Sequence, residues 1–169
     1  MKIAQFNESN KIGKIAEEHF IQYLNKRNLN YIDVRYDKEY QSKDIDFIVD
    51  NTTYEVKYNY HNAIYGRPGW FFWIELQVDK ISGWWYKCKA DYYVFLNHEG
   101  CGIIIENNQL FKNIIHDAIE SKNSFNNQID TVYDRRYSKI IDVLIMRYYI
   151  EDLNNSGVNF QRLVKRYKI

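Results

Sequence analysis

Lys43-Asp44-Ile45-Asp46-Phe47-Ile48-Val49, followed by Asp50-Asn51 and then by Thr53-Tyr54-Glu55-Val56-Lys57-Tyr58, is the stretch whose reading decides the fold. β-Branched and aromatic residues fill 44–49 and 53–58, and Asp50-Asn51 between them is a tight-turn signal, so two strands of a hairpin are expected. Side chains alternate faces along a strand. Asp44 and Asp46 therefore share one face, and Glu55 and Lys57 share one face of the neighbouring strand. Strand interiors are depleted in acidic residues, and unpaired carboxylates side by side repel. The arrangement costs stability unless a cation compensates.

Metal-assisted phosphodiester hydrolysis uses such a set. Asp46 and Glu55 would give hard oxygen ligands to Mg²⁺ (or Mn²⁺), which keeps several waters and polarises a phosphate oxygen. Lys57, on the side of Glu55, would orient or help deprotonate a water and offset charge growing on the phosphate. An internal control bears on the specificity of this pattern. Glu120-Ser121-Lys122 also reads E-x-K, yet it ends a helical stripe with no acidic strand before it. The informative signal is the compound one, an Asp, three apolar residues, a turn, then E-x-K. The alternative is a surface hairpin whose exposed ion pairs contribute at most about 1 kcal/mol.

Outward from the hairpin, Ile12, Ile15, Ala16, Phe20, Tyr23 and Leu24 recur at helical spacing, with Ser9 or Asn10 placed to cap a helix over 12–24. Further strands are expected at Tyr31–Tyr36, Phe71–Val78, Asp91–Leu96 and Gly102–Glu106, with a turn or short helix over 80–89 and a loop over 59–69 around Pro68. After Asn108 the pattern predicts helices. One stripe carries Leu110, Ile114, Ile115 and Ile119, and a second carries Ile140, Ile141, Leu144, Ile145, Tyr148 and Tyr149. Polar residues 121–130 form a loop between them, and Phe160, Leu163, Val164 and Tyr167 give a basic amphipathic tail helix with Arg162, Lys165, Arg166 and Lys168 on its other sides. The order predicts an α/β fold, a central sheet flanked by helices, in a single domain 1–169 with a core at about 10–106 and C-terminal helices at about 108–169.

These residues resemble the PD-(D/E)XK nuclease superfamily, with Asp46 at the acidic position and Glu55-Val56-Lys57 as E-x-K. Ile45 stands where the family usually has proline. Gly13-Lys14-Ile15-Ala16-Glu17 looks like the family's first helix, a resemblance that implies Glu17 as a third metal ligand. The resemblance covers about 12–96 and implies a restriction-endonuclease-like core with a central mixed β-sheet and a C-terminal helical extension. Trp73-Ile74-Glu75-Leu76, Gly83-Trp84-Trp85 and Ala90-Asp91-Tyr92-Tyr93 are similar to small phage-type and Holliday-junction resolvase-like endonucleases. Asp44 and Glu75 would support the metal ligands or reach substrate, and Trp84, Trp85 and Lys87 would contact nucleic acid unless the aromatics serve the core. The implied activity is a Mg²⁺-dependent endonuclease acting on DNA, by analogy a homodimer.

Composition narrows the remainder. The chain has 169 residues, 46% hydrophobic and 27% charged, which excludes disorder and low-complexity classes. The apolar runs are too short to span a bilayer, and the start lacks a secretory pattern, so a cytoplasmic protein with no membrane partner is expected. The net charge of +1 means that a nucleic-acid partner would need a local basic face. The 16 tyrosines and 4 tryptophans exceed what a core of this size requires. His19, His61, His98 and His116 lack metal-binding spacing, and Cys88 and Cys101 form no ligand pair, although Lys87 and Lys89 could depress the Cys88 pKa. Arg135-Arg136 and the tail cations could grip phosphates. The competing function is a module that binds nucleic acid or protein on the same fold without cutting.

Overall fold

Helix α1 runs over Lys2–Lys26, about three turns earlier than the apolar stripe requires. The computed structural model describes residues 2–58, 70–120, 127–134, 139–148, 153 and 155–163. Ser9 and Asn10 are thus helix-interior positions rather than caps, and Gly13 does not break the helix. The buried face is Ala16, Phe20 and Leu24, whereas Ile15 is exposed. The helix ends where Asn28 takes a left-handed conformation (φ 53°). Leu29 N–H donates to Leu24 O (3.1 Å) and Asn28 N–H to Asn25 O (3.0 Å), which closes the last turn in a Schellman pattern.

Strands β1 (Tyr31–Asp33), β2 (Phe47–Val49), β3 (Thr52–Tyr58), β6 (Tyr92–Leu96), β7 (Gly102–Glu106) and β10 (Phe160–Leu163) form one mixed sheet in the order β1-β2-β3-β6-β7-β10. Only β3 and β6 pair in parallel. The expected hairpin is present: Val49 pairs with Thr52 across Asp50 (φ 48°) and Asn51 (φ 65°), two left-handed residues that match the strand twist. The first strand is shorter than expected. Asp37 caps the short helix α2 (Lys38–Gln41) by accepting the Glu39 N–H at 2.8 Å, and the turn that follows delays extended backbone to Phe47.

A second, antiparallel sheet has the order β5-β4-β9-β8, from β5 (Ile81–Ser82), β4 (Trp70–Val78), β9 (Lys139–Tyr148) and β8 (Asn127–Asp134). This corrects the expectation of a single sheet and C-terminal helices. Of the two apolar stripes expected to be helices there, the first is α4 (Gln109–Glu120) and the second is β9. A run such as Ile140-Ile141-Asp142-Val143-Leu144-Ile145 suits a buried strand as well as a helix, and its pairing with β4 and β8 on either side decides for the strand. The tail is likewise a strand over 160–163, because β7 offers it an open row of backbone donors and acceptors. Residues 59–69, 121–126, 135–138 and 164–169 lie outside the described residues, so the 59–69 loop, Arg135-Arg136, His61 and the last tail cations do too.

The six-stranded sheet is covered on both faces. α1 packs Ala16, Phe20 and Leu24 against Phe47, Val56, Val94, Leu96, Ile104 and Leu163. Tyr93, Phe95, Ile103 and Ile105 point the other way, toward Ile74 of β4, Trp84 of α3 (Trp84–Lys87), and Phe111 and Ile115 of α4. The period-2 alternation of one strand thus feeds two cores. Among the described residues, no helix is long and apolar enough to cross a membrane.

Candidate functional site

Alternation along β3 sends Val56 to the α1 face and Glu55 and Lys57 to the opposite one. Asp46, just before β2, is tied to β1 and β3: its N–H donates to Tyr54 O (2.9 Å), and its carbonyl accepts from Val34 N (3.0 Å). β2 has not yet begun here, so Val56 N–H has no strand partner. The Asp46 carboxylate takes that place, Oδ2 accepting the Val56 N–H at 2.9 Å. Asp46 is therefore fixed by β3 itself.

Glu55 is only 3% exposed. Its Oε1 pairs with Lys57 Nζ, and its Oε2 is buried with no hydrogen-bond partner. Burial pushes the Glu55 carboxyl up, to about 8, against the pull of Lys57, and the nearby Asp46 and Asp44 charges add to the rise. For Lys57, burial works to lower the pKa, but Glu55, Asp46 and Asp44 outweigh it and hold the ammonium protonated well above its ordinary range. Lys57 Nζ also sits 4.9 Å from the Trp84 ring centroid, within cation–π range. This is no exposed surface pair. A buried carboxylate oxygen without a partner, beside the Asp46 and Asp44 carboxylates, is a group that a cation would satisfy.

The other expected residues surround this pair. Asp44 lies in the turn after α2 with φ 50°, not on the strand, so it does not share a strand face with Asp46 as the alternation predicts. Its carboxyl is nevertheless raised by burial and feels Lys57, Lys87 and Asp46. Glu75 of β4 is also raised by burial, while the Lys57 charge and a hydrogen bond from the Trp84 backbone N–H lower it. Gly83 makes that approach possible: a Cβ there would run into the Glu75 carbonyl oxygen. Trp84 is buried among Trp85, Tyr93 and Phe95, and Trp85 stacks on Tyr93 with centroids 5.6 Å apart. The burial of Trp84 removes it from base stacking and makes it the wall behind Lys57. Lys87 is exposed. Cys88 is not an activated thiol, because burial pushes it up to about 12 despite its lysine neighbours.

Glu17 reaches the neighbourhood from α1, close enough for the Asp46 charge to help burial raise its pKa. Its Oε2 is held by Arg35 Nη1 at 2.5 Å. Arg35 also forks onto Asp33, Nε to Oδ1 at 2.9 Å and Nη2 to Oδ2 at 2.5 Å, and lies 5.0 Å from the Phe47 ring centroid. Sequence reasoning missed this clamp. Only the Asp33-x-Arg35 spacing beside an expected helix acid hints at it.

Among the described residues, no three His, Cys, Asp or Glu side chains are arranged to hold a metal ion. Asp46 and Glu55 remain as a pair of carboxylates beside each other, and Glu17 is neutralised by Arg35. Mg²⁺ fits such a pair, since it is commonly bound through one or two carboxylates, with water and substrate phosphate completing its shell. Comparison of the chain with known protein families, curated proteins and solved structures finds no match.

Proposed function

We propose that this chain is a metal-dependent DNA endonuclease of the PD-(D/E)XK type on a restriction-endonuclease-like core, possessing one site per copy built from Asp46, Glu55 and Lys57. The observation that carries the reading is Glu55: a buried carboxylate with one oxygen orphaned, placed by alternation on the same strand face as Lys57 and raised further by Asp46. A purely structural strand would have no reason to bury it.

Asp46 and Glu55 would hold the Mg²⁺ or Mn²⁺ ion, and Glu17, its charge offset by Arg35, would stand beside Asp46 on the helix side. The bound ion supplies Lewis-acid polarisation of a phosphate oxygen and a more acidic water. Lys57, kept protonated by the surrounding carboxylates, offers donors and positive charge to the phosphate rather than serving as a base. Trp84, packed on Tyr93, lies against the lysine. Asp44 and Glu75 complete the charge environment. Cutting both strands of a duplex would take two copies, as in a homodimer.

Cleavage of four-way junction, flap, duplex and single-stranded DNA with Mg²⁺, with Mn²⁺ and with EDTA tests the proposal. Metal-dependent cutting that disappears in Asp46→Asn and Lys57→Ala is expected. A second reading, a non-cutting nucleic-acid or protein-binding module, is favoured by the neutralisation of Lys57 by Glu55 and of Glu17 by Arg35. Binding without cleavage on every substrate would establish it and reject the nuclease.

A further inference from the structure

On the α1 face of the six-stranded sheet, away from Asp46, Glu55 and Lys57, a cavity of about 620 Å³ opens between α1, the β6–β7 turn and β10. Its lining includes His19, Lys26 and Arg27 from the helix side and Arg162 from β10, with Glu99 as the acid among them. The cations come together from segments more than a hundred residues apart. Lys26 and Arg27, at the C-terminal end of α1, suit the negative end of the helix dipole. Arg162 is on a strand and has no such reason to be there. Among the described residues, none of these three is ion-paired. Glu99 lies 3.9 Å from His98 instead. Like charges gathered around a cavity repel unless an anion joins them.

The floor is built rather than accidental. His19 Nε2 is 2.9 Å from the His98 carbonyl oxygen, and Gly100, at φ 74°, comes so close to the His19 ring that a Cβ would meet it at 2.9 Å. Tyr23 is fixed by Gln161 Nε2 at its hydroxyl (3.0 Å) and faces Arg27, whose Cζ lies 5.5 Å from the ring centroid. We infer that this cavity is a second binding surface for the phosphate backbone of a DNA strand, outside the acidic site. It supplies the local basic face that a chain of net charge +1 needs for a polyanion. The choice of DNA rests on the proposed function; the anion site itself rests on the cations and the cavity.

Fluorescence anisotropy of a short labelled duplex, in EDTA to prevent cutting, tests the inference. Lys26, Arg27 and Arg162 are exposed, so Lys26→Gln/Arg27→Gln/Arg162→Gln should fold as the wild type does, checked by thermal melting. The triple variant is expected to bind at least about tenfold more weakly at low salt, with the log–log salt slope reduced by about 2–3, near 0.9 for each phosphate no longer neutralised. A control triple, Lys38→Gln/Lys80→Gln/Lys112→Gln, removes equal charge elsewhere and should weaken binding much less. Equal binding by the first triple and the wild type overturns the inference, as does an equal weakening in both triples or no binding by the wild type. Displacement of the duplex from the wild type by inorganic phosphate or a free mononucleotide at matched phosphate concentration assigns the cavity to a small ligand and also overturns it. Failure of the nuclease reading would look different: the affinity difference persists while Mg²⁺ produces no cutting.

Discussion

Glu55 is the residue on which the proposed chemistry turns, and its environment makes a pH prediction with a definite sign. Its carboxyl is raised from 4.5 to about 8 by burial, so the folded state binds more protons than the unfolded one in that window. This contribution to stability is fully present below pH 4.5 and is lost as the pH rises toward about 8. Urea denaturation across that range should show the decline in the wild type and a flatter profile in Glu55→Gln. Mg²⁺ should raise the wild-type melting temperature more near pH 8 than near pH 6, because it competes with the proton for the same oxygen. Asp46 carries a structural duty as well. Asp46→Ala strips the acceptor from Val56 N–H and should cost about 1–3 kcal/mol, while Asp46→Asn keeps an acceptor and should abolish cleavage with a smaller loss, both read by denaturation beside activity. Arg35→Ala leaves Glu17 and Asp33 without their partner and should likewise cost about 1–3 kcal/mol.

At the scale of elements, the hairpin was legible because its signals are local: β-branched runs, a two-residue turn and an E-x-K whose two charges alternation puts on one face. Asn51→Gly should be neutral or stabilising by a few tenths of a kcal/mol, since glycine adopts the left-handed conformation without a Cβ penalty. Gly83→Ala should behave oppositely. It forces α3 off β4, moves Trp84 away from Lys57 and Glu75, and should lower both the melting temperature and any cleavage. The misread elements are those in which a local pattern fits two periods. Residues 140–148 are apolar enough for either a buried strand or a helix face, and 160–163 are too few to decide alone.

For the whole molecule, one sheet separates two cores, with Phe20 fully buried on the α1 side and Phe111 on the α4 side. Phe20→Ala and Phe111→Ala should each cost about 3–5 kcal/mol, and since they lie in separate clusters on opposite faces of the sheet the double mutant should equal the sum within about 0.5 kcal/mol. Urea denaturation of the three variants gives the comparison. The same layering explains why Glu55 is buried: Glu55 and Lys57 point into the face that α3, α4 and β4 cover, so burial raises the Glu55 carboxyl while the surrounding carboxylates keep Lys57 protonated.

The amino-acid order alone determined the first helix, the hairpin, its turn and the pairing of Glu55 with Lys57 on one face, because each follows from interactions within a few residues. Only the tertiary structure decided that the C-terminal half supplies strands, that Arg35 clamps Glu17, that Trp84 is a wall rather than a platform and that one oxygen of Glu55 is left without a partner. Those outcomes depend on which distant segment offers a backbone edge, a charge or a dry surface, and such long-range partners leave no periodic trace in the chain.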